Sequence, residues 1–343
     1  MSKNGDIIMF KKKLLVIALI CLLIPFTSCI GKKAETSSQN NKGESHFVKM
    51  EFPKSRYLTA TGSGESKSEA KRNAKSEISN IFEAKISSDL TSNTTAIVDT
   101  KRGDSMKKIV RRNINVQSSV KLKGLFIGKT WKQGSEHFAV AVLEKSKAKD
   151  GWLSEIEKVD NKIDAQFKVV EKQVSKVTKL KPLKTIVNLW LKKQAIISRL
   201  RVIGYAAPSA NKHDIKSVFE KIPAIKSDIN VYVSVKGVRG REITDIIAKY
   251  LTKANFKFTG FSRRADVLIL GKSKAERVRN NNRDFVFARA KLFLSLIDVK
   301  TGVKIGEIAE DRRKGALNIN EAVHKAIKGV SKKAALKVVE YFD

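Results

Sequence analysis

The sequence predicts an α+β fold: two small antiparallel-sheet-plus-helix domains joined by a helical spacer. Three observations predict it. Residues 56–90 read as a strand, a glycine turn and an amphipathic helix; residues 149–200 keep a helical period; residues 227–343 run in the order β-α-β-β-β-β-α. Mixed orders of this kind build sheets with helices laid on them.

In the first domain, assigned to residues 47–148, Arg56–Gly64 forms a short strand that ends in the turn Gly62-Ser63-Gly64. Ser66 and Glu69 then have the spacing of a capping box. Ala70, Ala74, Ile78, Ile81, Phe82, Ile86 and Leu90 recur every three or four residues and make one apolar stripe. After a polar stretch from Thr91 to Lys108, the alternation from Ile114 to Gly124, the extended run Leu125–Trp131 and the strand His137–Leu143 after the Gln133-Gly134 turn predict antiparallel pairing.

The spacer, residues 149–223, carries two helical stripes, one from Trp152 through Ile156, Val159 and Ile163 to Val174, the other from Ile186 through Leu189 and Ile196 to Leu200. Pro182 separates them, which places a turn near Leu180–Pro182. The hairpin either binds a partner or packs on the neighbouring domains. In the last domain, residues 224–343, strands are expected at Asn230–Val235, Phe256–Phe258 and Asp266–Gly271. A hairpin of Val286–Val299 and Val303–Glu310 turns at Thr301-Gly302. The helices are Arg241–Ala254, with Ile243, Ile246, Ile247 and Leu251 inward, and Glu321–Phe342.

Charge is the outlying property: 69 Lys+Arg against 34 Asp+Glu leave +35. The excess is spread over every segment and is mostly Lys, so a Lys-rich proteome explains it more simply than a dedicated anion-binding face. Ten of the 17 arginines nevertheless lie between Arg239 and Arg313. Arg263, Arg264, Arg312 and Arg313 are the candidate anion-binding residues there, because guanidinium bonds phosphate and carboxylate in a bidentate manner.

The N-terminus is the most specific signal. Lys11-Lys12-Lys13 precede an apolar run of 13 residues, Leu14–Phe26, and a polar stretch follows Cys29. That length suits the h-region of a signal peptide and falls short of the roughly 20 residues of a membrane-spanning helix. Met1 and Met9 both fit as starts, Met9 placing the basic residues at the very end of the chain. Residues 1–28 are the expected signal peptide and residues 29–46, rich in Lys, Ser, Asn and Gly, a flexible tether. Cys21 leaves with the signal, so the mature chain keeps one cysteine and can form no internal disulfide or zinc–thiolate cluster.

Phe26-Thr27-Ser28-Cys29 resembles a bacterial lipobox, with Phe26 in place of the usual Leu. The resemblance implies cleavage before Cys29 and attachment of diacylglycerol and further acyl chains such as palmitate to that residue. The competing reading is an ordinary secretory signal with an incidental cysteine. Tyr57-Leu58-Thr59-Ala60-Thr61-Gly62-Ser63-Gly64, followed by Glu69-Ala70 and Ala74, is similar to the Lpp-twenty family of bacterial lipoproteins over about residues 47–150. A related pattern occurs in the N-terminal part of flagellar assembly protein T. The strand Ala265-Asp266-Val267-Leu268-Ile269-Leu270-Gly271 and the hairpin Leu294–Gly302 resemble, more faintly, envelope lipoproteins of the LpoB and CsgG sort. These resemblances imply a protein that assembles with or activates envelope machinery.

Other short motifs have simpler structural explanations. Gly62-Ser63-Gly64 before a helix can cradle an anion, but Lys67 stands where a dinucleotide fingerprint needs its third glycine. Gly124–Thr130 is one residue short of a phosphate loop and precedes a strand. His46, His137, His213 and His324 lie far apart, so no metal site is expected, and no nucleophile–base arrangement stands out. Glu310-Asp311 beside Arg312-Arg313-Lys314 reads as a solvated, mutually paired loop. No cofactor and no catalytic residues are expected.

The expectation is a non-enzymatic assembly or interaction module of the bacterial cell envelope. It is held to the outer or cytoplasmic membrane by lipid at Cys29, facing the periplasm or the cell surface. The expected partners are envelope proteins or anionic envelope polymers, and export argues against nucleic acid. Alternatives are an accessory activator of peptidoglycan synthesis or flagellar assembly, and a binder of anionic glycan, phospholipid or nucleic acid.

Overall fold

The apolar stripe of the first helix organises the N-terminal layer. In the computed structural model, which describes residues 48, 50–97, 111, 122, 124–206, 212–279 and 284–342, strand β1 (Tyr57–Gly64) leads into helix α1 (Lys67–Ile97). Ala70, Ala74, Ile78, Phe82, Ile86 and Leu90 are fully buried, whereas Ile81 stands 43% exposed at the margin of the stripe. The α1 helix absorbs the beginning of the stretch expected to be polar loop, because Thr91, Thr94 and Thr95 bond their hydroxyls back to carbonyls of the preceding turn. Cys29, the tether and the alternation from Ile114 to Val120 lie outside the described residues.

Strands β2 (Leu125–Gln133) and β3 (Glu136–Glu144) complete an antiparallel sheet of order β1-β3-β2. Gly62 and Gly64 do not form the expected turn. Both lie inside β1, paired with Ala139 and His137, and their work is steric. A Cβ on Gly62 would sit 2.1 Å from the backbone nitrogen of Ala74, and one on Gly64 would sit 2.6 Å from Cγ of Glu69. Hydrogen in place of a side chain lets α1 lie directly against the strand, fastened by the Asn73 amide donating to the Ser63 carbonyl at 2.7 Å. Fully burying side chains such as Ile78 and Phe82 contributes about 1.5–3 kcal/mol each.

Two long helices follow, α2 (Lys145–Lys172) and α3 (Lys176–Val202). The turn falls at Gln173-Val174-Ser175, earlier than the expected Leu180–Pro182, and Pro182 is buried inside α3. Ser175 caps the helix by accepting the Thr178 N–H at 3.2 Å. The apolar face of Val177, Leu180, Leu183, Ile186 and Val187, all buried, outweighs the roughly 3 kcal/mol that an interior proline costs. A third helix, α4 (Ile215–Asp228), is additional to the two expected in this region; it buries Ile215, Val218, Phe219 and Ile222 and starts at an Asp214 cap.

The C-terminal layer comprises β4 (Asn230–Gly237), α5 (Gly240–Lys253), β5 (Lys257–Phe258), β6 (Val267–Val278), β7 (Val286–Asp298), β8 (Lys304–Ala316) and α6 (Ile319–Phe342). The sheet order is β5-β4-β6-β7-β8. Strand β4 runs parallel to both neighbours, with α5 as the crossover to β5, and the remaining pairs are antiparallel. The sheet is therefore mixed rather than wholly antiparallel, while the α+β class stands. Helix α6 packs on β7 and β8 and against α5. One apolar core runs from α1 through the helical hairpin into this layer.

Candidate functional site

Period two along the last three strands sorts their residues sharply. Val267 and Ile269 of β6, Ala288, Ala290, Leu292, Leu294 and Leu296 of β7, and Ile308 of β8 are buried on the face that carries α5 and α6. The intervening residues make the opposite face. Leu270 is 39% and Phe293 53% exposed there, and cross-strand register sets Lys236 beside Lys272, Lys272 beside Phe293, and Lys274 beside Lys291. Glu276 pairs with Lys291 at 3.6 Å and Asp311 with Arg289 at 3.3 Å. Lys236, Lys272 and Lys274 have no ion-pair partner among the described residues. The result, among the described residues, is an exposed basic surface with an apolar centre.

The four arginines singled out from the sequence do not converge on one site. Arg263 and Arg264 sit on the 3₁₀ turn Ser262–Arg264 just before β6, where Arg264 lies 5.1 Å over the Phe261 ring. Arg312 and Arg313 belong to the far half of β8, in register with Ala290 and Arg289. Being neighbours on a strand, they also point to opposite faces: Arg312 reaches α6 beside Gly329, and Arg313 stacks 4.5 Å over Phe287 on the uncovered face. Cys29 lies outside the described residues.

The stretch expected as a solvated acidic and basic loop is strand. Glu310 is buried, with Lys333 at 2.9 Å and Lys337 at 2.5 Å, both from α6. Burial pushes its carboxyl upward, but the hydrogen bonds and charges of the two lysines prevail and hold it below the ordinary value. The alternation with Ile308, both inward, carried that signal in the sequence.

A second polar feature ties the hairpin to the helices. Asp298, fully buried, accepts from the N–H groups of Lys300 at 3.0 Å and Thr301 at 3.3 Å, and from the Ser175 hydroxyl. Beside it, Lys176 bridges Asp228 at 2.8 Å and Asp266 at 3.6 Å. Its hydrogen bond to Asp228 raises Lys176 above its usual range, and Lys176 and Lys257 lower Asp228. These carboxylates are consumed by structural partners. Between α2 and α3 the nearly buried Lys193 ammonium meets Asp160 at 2.8 Å.

The N-terminus of α1 is likewise satisfied internally: Ser66 accepts the Glu69 N–H at 3.2 Å, and the Glu69 carboxylate accepts the Glu65 N–H at 3.0 Å. The reciprocal bond thus falls one residue before the cap. Among the described residues, His213 bonds Asp164 at 2.6 Å and stacks on Phe167, and His324 faces Arg239 and Glu242. No group of three metal-ligating side chains gathers among the described residues, and no helix among them is long and apolar enough to cross a membrane.

The exposed sheet face and the occupied polar pairs belong to a chain of α+β class. Residues 44–144 match the LPP20 lipoprotein family. That match spans β1, α1, β2 and β3, and supports a bacterial envelope lipoprotein. No curated protein matches the chain. Among solved structures, a secreted protein of Helicobacter pylori is similar at 14% identity, covering 83% of this chain and 97% of its own, with a TM-score of 0.40. A lipoprotein of Caulobacter crescentus is similar at 15% identity, covering 32% of this chain and 82% of its own, with a TM-score of 0.23. A minor lipoprotein of Acinetobacter baumannii is similar at 11% identity, covering 33% and 89%, with a TM-score of 0.26.

Proposed function

We propose that the chain is a lipid-anchored protein of the bacterial cell envelope and acts there as a non-catalytic assembly or interaction module. The observation that carries this reading is the pairing of a lipoprotein-family match over residues 44–144 with a C-terminal sheet left bare on one face. Lipid at Cys29, behind the tether of residues 29–46, fixes the chain to a membrane surface while the folded part reaches partners. Two or more acyl chains make such anchorage stable, since each buried methylene contributes about 0.8 kcal/mol. The faint C-terminal likeness to LpoB-type and CsgG-type lipoproteins agrees with a role in assembling or activating other envelope proteins.

Envelopes solubilised in mild detergent and separated under native conditions test the reading. The chain is expected in a complex with another envelope protein, and cells expressing only Cys29→Ala should lose that complex. A chain that migrates alone from intact membranes, in both forms, contradicts the proposal.

A further inference from the structure

The bare face of the C-terminal sheet is sorted by charge as well as by exposure. Its acids are matched by neighbours, Glu276 of β6 by Lys291 and Asp311 of β8 by Arg289. The cations Lys236 of β4 and Lys272 and Lys274 of β6 stand without ion-pair partners among the described residues, next to Leu270 and Phe293. A uniformly anionic surface, whether lipid headgroups or nucleic-acid phosphates, would meet the three lysines but would set more charge, and no apolar side chain, over Leu270 and Phe293. A second copy would bring the same excess of cations, from a chain of net charge +35. A polypeptide segment can instead place carboxylates opposite the lysines and an apolar side chain over the centre, and that arrangement meets both features of the face.

We propose that this face docks an acidic segment of a partner envelope protein, with an apolar side chain seated on Leu270 and Phe293 and carboxylates on Lys236, Lys272 and Lys274. The inference rests on the interaction-module reading and adds to it the surface and the chemistry of the partner. In interfaces of this kind the desolvated centre holds the complex and the surrounding charges govern encounter and choice of partner.

Photocrosslinking in the native cell tests this directly. A photoreactive phenylalanine analogue is placed at Phe293 of the full chain, and in a separate strain at Leu336, which is 56% exposed on α6. Illumination should give an adduct from position 293 and not from 336, and the crosslinked peptide should be rich in Asp and Glu. The yield should fall at least tenfold in K272E/K274E, whose side chains are exposed and whose thermal unfolding should be unchanged. It should persist in R263E/R264E, an equal charge change elsewhere on the same domain. No adduct at 293, or an adduct there to lipid, glycan, nucleic acid, a second copy or a non-acidic peptide, overturns the proposal. An adduct to an envelope protein from 336 alone removes this face while leaving the interaction-module reading intact.

Discussion

The two α/β layers of this protein solve the packing of a helix on a sheet in opposite ways. In the N-terminal layer the strand gives up its side chains: Gly62 lets the backbone of α1 approach β1 so closely that a Cβ would stand 2.1 Å from Ala74 nitrogen. In the C-terminal layer the sheet keeps large side chains, Val, Ile and Leu, over most of its inward face, and a comparable close approach is confined to the start of α5, where a Cβ on Gly240 would stand 2.1 Å from the Val235 carbonyl oxygen. The first arrangement spends its glycines on structure. The second puts all its apolar depth on one face and leaves Leu270 and Phe293 on the other, where structure does not require them.

The difference is sharpest in two phenylalanines. Phe82 of α1 is fully buried and meets Trp152 edge to face with centroids 5.7 Å apart. Phe82→Ala should lower unfolding free energy by about 3–5 kcal/mol, measured by denaturant titration. Phe293→Ala, on the bare face, should stay within about 0.5 kcal/mol of wild type; equal losses in the two would erase the contrast.

Glycines give the next largest effect. Gly62→Ala should cost about 3 kcal/mol through overpacking of backbone against backbone. Gly151→Ala, in α2 with nothing within 4 Å of the added Cβ, should instead gain about 0.5–1 kcal/mol. Melting temperatures moving in the same direction for both would show that the close approach of α1 and β1 is not what Gly62 serves.

Asp298→Ala leaves two backbone N–H groups and the Ser175 hydroxyl without their carboxylate. A loss of about 1–3 kcal/mol is expected, and hydrogen exchange should quicken at the α2–α3 turn as well as in the β7–β8 hairpin. Exchange changed in the hairpin alone would mean that the contact does not tie the two regions together.

Glu310 gives the smallest effect and a pH signature. Its folded carboxyl lies below its ordinary value of 4.5. The stabilisation it contributes is therefore present above that value and fades as pH falls from it through the folded value. Glu310→Gln should cost about 1 kcal/mol at neutral pH, in the range of a net hydrogen bond, and the difference from wild type should shrink on acidification. A difference that does not change with pH would contradict the pairing with Lys333 and Lys337.

What was legible in the sequence follows the same division. The stripe on α1, the Ser66 and Glu69 cap and the order of the C-terminal strands could be read because each rests on local periodicity. Local signals misled where tertiary contacts decide. Pro182 looked like a break, but the Ser175 cap and the buried face of α3 carry the helix through it. Gly62-Ser63-Gly64 looked like a turn because sequence does not show which helix will lie on a strand. Arg312 and Arg313 are adjacent candidates for an anion in the sequence, and adjacency along the chain hides the period of two that sends them to opposite faces. The bare face itself was invisible: its residues come from β4, β6, β7 and β8, and only register brings Lys236, Lys272 and Phe293 together.

Anchorage at Cys29 is the claim on which the envelope role depends, and intact-mass analysis of the protein taken from its native membrane tests it most directly, alongside Cys29→Ala. The account predicts a wild-type mass corresponding to cleavage between Ser28 and Cys29 plus diacylglycerol and an N-acyl chain, with the variant neither cleaved there nor acylated. A wild-type chain carrying no lipid would contradict it.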